Sequence, residues 1–160
     1  MSTAAASLCS AVLLAAVVTL GACSGTPRHP ERPPDTGETI AAIAAALVGT
    51  RYHFGGADSA GFDCSGLALY VHQRVGLDIP RTARQQQLAA PPVPLDEIEP
   101  GDLVFFSIHA HHVDHVGIYA GGGRFIHAPR AGLAVAYADL TQGFYRQHFV
   151  SAGRFWSASP

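Results

Sequence analysis

The chain of 160 residues contains three cysteines and nine histidines, and their placement narrows the chemistry open to it. Cys64 stands in "GFDCSGLALYVHQ", directly after an acidic residue and at the start of an apolar pattern with helical spacing. Structural thiols pack as small hydrophobes, whereas a cysteine at a helix N-terminus meets unpaired backbone N–H groups that favour the thiolate. Cys64 is therefore either a nucleophile or an ordinary helix-start residue. Cys9 and Cys23 both fall in the apolar N-terminal segment, so the rest of the chain holds one thiol and no internal disulfide. In an exported protein a lone free thiol is a liability unless it reacts, which favours the nucleophile.

A thiol nucleophile needs a base to take its proton and a third group to fix that base's tautomer. Histidine suits the first role because its pKa lies near neutrality. His115 opens "HVGIY" and His127 lies near the end of "RFIHAP". On adjacent antiparallel strands the two rings can stack side by side, one ordering the other, although spacing alone does not select this pair from the nine. The stretch "HAHHVDH" offers a different chemistry, since His109, His111, His112 and His115 could bind zinc or nickel. That cluster lies in a connection between two strands, without a carboxylate or thiol at regular ligand spacing, and is read as a His-rich polar loop.

Elements that can hold these residues follow from the periodicity. "ETIAAIAAALVGT" repeats apolar residues at helical spacing and ends at Gly49; Cys64 to Val75 does the same and closes at Gly76. "IPRTARQQQLAA" gives a third helix with Pro80 at its entry. "RYHFGGADSAGF" between the first two is a loop. After Pro100-Gly101 the runs "DLVFFSI", "HVGIYAG", "RFIHAP" and "LAVAYADL" read as antiparallel strands, with "SAGRFWSA" as a last one. Helices followed by strands predict an α+β domain, its helices packed on one face of a mostly antiparallel sheet.

Composition bounds the rest. With 48% apolar residues and a net charge of −2, the chain is globular, of single-domain size, and lacks the basic excess that nucleic-acid binding requires. Residues 1–22 carry a short apolar run that leads, through Leu-Gly-Ala, to Cys23; this resembles a bacterial lipoprotein signal, although no Lys or Arg precedes the run. This implies lipidation at Cys23 and an exported protein anchored to a bacterial membrane. Residues 23–37, rich in Pro, Gly and charge, read as a flexible tether, and residues 38–160 as the domain.

"YHFGGADSAGFDCSG", "IPRTARQQ", "PGDLVFF", "DHVGIYAGGGRFIHAP" and "RFW" resemble, in order and spacing, the NlpC/P60 family of bacterial cell-wall cysteine peptidases. The resemblance implies a papain-like α+β fold, Cys64 as nucleophile, His115 as base and His127 as the group orienting it. It further implies that Tyr52 helps position substrate or the oxyanion, that Asp63 and Ser65 help hold the substrate's amino end, and that Arg81 lines the same groove. Asp63 is equally well read as the N-cap of the helix that Cys64 opens. Three positions depart from the family pattern: Ala83 where Ser is common, Phe54 where Trp is frequent, and Asp114 before the base. Asp114 is expected to raise the pKa of His115. The implied activity is hydrolysis of an amide in peptidoglycan stem peptides, at γ-D-glutamyl–diamino acid bonds (meso-diaminopimelate), by a monomer that needs no metal or organic cofactor. A non-catalytic wall-peptide binding module, or an amidase or acyltransferase on the same scaffold, are the alternatives.

Overall fold

The computed structural model describes residues 36–156. The signal segment, Cys23 and residues 23–35 of the expected tether lie outside the described residues.

Helix α1 (Thr36–Ala46) buries Ile40, Ala41 and Ala44 as one stripe. It starts two residues inside the stretch read as tether, and Gly37 explains why: a Cβ there would collide with the Pro100 carbonyl oxygen and the Trp156 ring. The stretch expected to be only a loop contains a small hairpin, β1 (Ala57–Asp58) and β2 (Gly61–Phe62). Helix α2 (Cys64–Arg74) buries Leu67, Ala68 and Val71, and Gly76 just beyond it adopts a φ of +76°, the left-handed turn that suits glycine. Helix α3 (Ala83–Ala89) begins later than the sequence suggests. Thr82, not the vicinity of Pro80, caps it, because the Pro80 carbonyl accepts a hydrogen bond from Gln86 Nε2 (2.8 Å) and Arg81 is drawn onto Asp63.

The strands are β3 (Pro92–Val93), β4 (Leu103–Phe106), β5 (His115–Gly121), β6 (Arg124–His127), β7 (Ala136–Asp139) and β8 (Phe149–Gly153), with helix α4 (Gly143–His148) entering before β8. They form one antiparallel sheet in the order β3-β8-β4-β5-β6-β7. The last strand runs from Phe149 rather than Ser151 and lies inside the sheet, between β3 and β4. Neither β3 nor α4 is foreshadowed by periodicity, being two and six residues long.

Alternation divides the sheet into two faces. Leu103, Phe105, Val116, Ile118 and Ile126 pack with Ile40, Ala44, Leu67, Ala68 and Val71 of α1 and α2. Val104, Phe106, Phe125 and Ala152 point the other way and pack with Leu140 and the partly buried Tyr145 and Phe149. The expected helical layer is present, and α4 adds cover on the opposite face.

Two of the sequence motifs turn out to join the neighbouring strands β4 and β8 where β4 begins and β8 ends. Asp102 is fully buried and accepts from Arg154 Nε (2.7 Å), Arg154 Nη2 (2.8 Å), Trp156 Nε1 (3.1 Å) and the Glu99 N–H (2.8 Å). A buried carboxylate is tolerated when each lone pair meets a donor, and here a guanidinium supplies the counter-charge.

Candidate active site

Cys64 is the first residue of α2, and the loop before it is organised around Asp63. The Asp63 backbone is extended (φ −89°, ψ 175°) and its Oδ1 accepts from the Gly66 N–H (2.6 Å), the geometry of an N-cap. The same carboxylate accepts from Ser65 Oγ (3.2 Å) and the Gly55 N–H (3.0 Å), and Arg81 grips it with Nη1 (3.0 Å) and Nη2 (2.7 Å). Arg81 Nη1 also donates to Ser65 Oγ (2.9 Å). Burial pushes the Asp63 carboxyl up, but hydrogen bonds from Arg81 and Gly66 together with the guanidinium charge outweigh it and hold the group below its usual range. Asp63 therefore caps α2, and the same carboxylate lies in the groove with Arg81 fixed to it.

Gln86 ties the third helix to this loop. It is fully buried, and its Nε2 donates to the Ser65 carbonyl (3.0 Å) as well as to that of Pro80. Gly66 is required for the same close packing, since a Cβ there would strike the Gly56 carbonyl oxygen.

The thiol sits where α2 meets the start of β5. The backbone N–H groups of Val116, Ser65 and Cys64 itself point at the sulfur and favour its anion, while burial and the Asp63 charge oppose it. Burial dominates and pushes the thiol up to about 11. The helix N-terminus alone does not produce a resting thiolate.

His115 and His127 form the expected pair. His115 Nε2 lies 2.8 Å from His127 Nδ1, with the rings perpendicular rather than stacked. The contact is diagonal, because β5 and β6 pair Ile118 with Ile126, and diagonal neighbours on one face reach each other. Burial drives the His115 imidazole down to about 4, and Asp114 pulls upward too weakly to offset it, with His109 acting downward. Asp114 thus acts in the expected upward direction, and burial sets the net fall. Asp114 is occupied elsewhere, accepting from the Ile108 N–H (2.7 Å) and the His109 N–H (2.7 Å) and so fastening the His-rich loop. His127 falls to about 3, through burial and then the neighbouring His115.

By alternation His115 projects to the side of Phe106 and α4, while Cys64 arrives from the helical side. Both reach the start of β5, where the Val116 N–H that meets the sulfur is one peptide unit from the His115 Cα. With Nε2 committed to His127, Nδ1, the ring nitrogen nearer the main chain, stays outside that contact.

Outside the sulfur lies a groove of about 690 Å³ walled by Tyr52, Asp63, Cys64, Ser65 and Arg81, with Asp114 on its rim. All four residues expected to position substrate thus share one surface with Cys64. Tyr52 is anchored by bridging to Phe62, and burial followed by the nearby Cys64 and Asp63 charges raises its phenol. Phe54 stands on the groove wall almost fully exposed, at 85%. Among the described residues no group of three or more His, Cys, Asp or Glu side chains is placed to hold a metal ion.

Sequence reasoning missed Gln86 and Tyr145. Gln86 is one of three consecutive glutamines, and only helix phase distinguishes it from Gln85 and Gln87. Tyr145, whose hydroxyl lies 3.4 Å from His127 Nε2, is carried by the unforeseen α4.

Comparison with known proteins agrees with this geometry. Residues 49–154 match the sequence profile of the NlpC/P60 family. The chain is 36% identical over 124 residues to the gamma-D-glutamyl-L-lysine dipeptidyl-peptidase of Bacillus subtilis, covering 76% of this chain and 42% of that protein. It is 39% identical over 120 residues to the bifunctional muramidase/DL-endopeptidase CwlT of the same organism, covering 73% and 36%. The crystal structure of an NlpC/P60 family protein from Bacillus cereus superposes with a TM-score of 0.73 at 29% identity, over 78% of this chain and 42% of that one. The chain thus spans about two fifths of the length of these relatives. Profile, relatives and fold agree with the motifs on one conclusion: this chain belongs to the NlpC/P60 family.

Proposed function

We propose that this protein is a cysteine endopeptidase that hydrolyses an amide bond in peptidoglycan stem peptides, between γ-D-glutamate and a diamino acid such as meso-diaminopimelate. The observation that carries the reading is that the Cys64 sulfur meets the Val116 N–H, one residue along β5 from His115, whose ring pairs with His127. Its substrate class rests on the names of the relatives, a gamma-D-glutamyl-L-lysine dipeptidyl-peptidase and a DL-endopeptidase.

The resting site is neutral, thiol against imidazole, so proton transfer accompanies attack. Sulfur adds to the amide carbonyl carbon as its proton passes to His115 Nδ1. Backbone N–H groups at the start of α2, with the Tyr52 hydroxyl, receive the developing oxyanion. His115 returns the proton to the leaving amine, and a thioester remains on Cys64. Water, deprotonated by the same ring, hydrolyses it, and His127 keeps that ring oriented through both halves. Asp63, Ser65 and Arg81 form the wall against which the substrate's amino end lies.

Export and anchoring complete the proposal. Cys23 is the lipidated residue, holding the domain at a bacterial membrane where it meets the wall. Among the described residues no helix is long and apolar enough to cross a membrane. Cys23→Ser should move the protein from the membrane to the soluble fraction.

Digestion of purified peptidoglycan followed by mass spectrometry of the fragments tests the activity. New peptide ends at D-glutamate, absent with Cys64→Ala, support the endopeptidase. Sedimentation with the wall but no new ends in either protein leaves a binding module. New ends at another amide indicate an amidase on the same scaffold.

A further inference from the structure

The imidazole pair does not end at His127. Its Nδ1 faces His115, and the Tyr145 hydroxyl oxygen is the hydrogen-bond partner of its Nε2 among the described residues, at 3.4 Å. The Tyr145 ring is held edge-on against Phe125 (4.9 Å), His127 (5.3 Å), Phe106 (5.4 Å) and Phe144 (5.2 Å). Burial raises its phenol, which stays protonated at neutral pH.

A single proton lies in the contact between the two imidazoles, so only two arrangements exist. In one, Tyr145 donates to His127, His127 donates to His115, and the His115 proton sits on Nδ1. That nitrogen then has no lone pair for the thiol. In the other, His115 Nε2–H donates to His127 Nδ1, and His127 Nε2–H donates to the Tyr145 oxygen. The phenol proton then turns to solvent, which the half-buried residue permits.

The sulfur end discriminates between the two. The backbone N–H groups of Val116, Ser65 and Cys64 favour negative charge on the Cys64 sulfur. On the peptidase reading the thiol gives its proton to His115, which the second arrangement alone accommodates. Donors and acceptors then run in one direction, from sulfur through His115 and His127 to the Tyr145 oxygen. We propose that Tyr145 is a positioning residue whose hydroxyl oxygen accepts the His127 Nε2–H and so holds both imidazoles in the tautomers that leave His115 Nδ1 free as the base.

The role rests on the peptidase reading, but one of its two readouts does not. Tyr145→Phe keeps the ring and its packing and removes only the oxygen, leaving a buried N–H without an acceptor. On wall peptides the variant should lose about tenfold in kcat with KM unchanged, the cost of one unmet buried hydrogen bond on the productive tautomer. In parallel, ¹⁵N shifts of the histidine side chains at neutral pH should place the proton on Nε2 of both His115 and His127 in the wild type. In Tyr145→Phe they should show a mixture. Unchanged kcat, or a fallen kcat with unchanged nitrogen shifts, would overturn the proposal, the latter by making Tyr145 a packing residue. If the wild type cleaves no wall peptide, the proposed function fails while the nitrogen shifts still decide the tautomers.

Discussion

At the scale of single residues, the proposed mechanism works by withholding charge. Burial raises the Cys64 thiol to about 11 and lowers His115 to about 4, so both partners rest neutral across the physiological range. The acid limb of kcat/KM marks protonation of the base, and a base held below its ordinary value places that limb below pH 6.5. A profile on wall peptides should therefore retain most activity at pH 6; a limb at or above 6.5 would mean that His115 is not held neutral. The same shifts bear on stability. Both His115 and His127 have folded values below the unfolded one, so their contribution is complete above about pH 6.5 and is lost as the pH falls toward about 4 and about 3. Between pH 7 and 4.5 the wild type should lose roughly 2 kcal/mol more than His127→Asn in urea titrations, since the variant lacks one of the two rings.

At the scale of elements, the loop before α2 is held by the carboxylate of Asp63, which joins the turn at Gly55, α2 and Arg81. Asp63→Ala removes the cap and the ion pair together and should cost roughly 2 kcal/mol, the exposed side of Arg81 limiting the ionic share. Asp63→Asn, which can still cap, should cost less; equal losses in chemical denaturation would assign the effect to the charge. This scale also shows what periodicity could and could not tell. Helices α1 and α2 and strands β4 to β6 carry long enough apolar patterns to be read. The start of α3 is set by Thr82 and by the pull of Asp63 on Arg81, a contact between residues eighteen positions apart that no local window contains. The two-residue strands and α4 are too short for a period to register, and Tyr145 was missed with α4.

At the scale of the molecule, the motifs divide into those that do chemistry and those that close the fold. "PGDLVFF" and "RFW" meet at Asp102, far along the chain from Cys64. Asp102→Ala strands the Arg154 guanidinium and opens the junction of β4 and β8. A loss of about 3–5 kcal/mol, read from thermal or urea unfolding, is expected, as for other broken buried pairs. Residual native protein should keep a normal rate of Cys64 alkylation. The resemblance in order and spacing carried the site further than residue chemistry did: nine histidines offered no local reason to choose His115 and His127, whereas the sheet register brings their rings together. Asp114 pulls His115 upward as expected, but burial outweighs it, and neighbours in sequence do not reveal how much solvent a ring has lost.

The central claim is that the Cys64 sulfur bonds covalently to the substrate's carbonyl carbon. Acid-quenching a reaction with wall peptides during its first turnovers, then weighing the intact protein and its Cys64 peptide, tests this directly. The account predicts a thioester adduct on Cys64 equal in mass to the acyl half of the cleaved peptide, absent from Cys64→Ala, which should also be slower by several orders of magnitude. Cleavage at an undiminished rate by Cys64→Ala, with no adduct on the wild type, would contradict it.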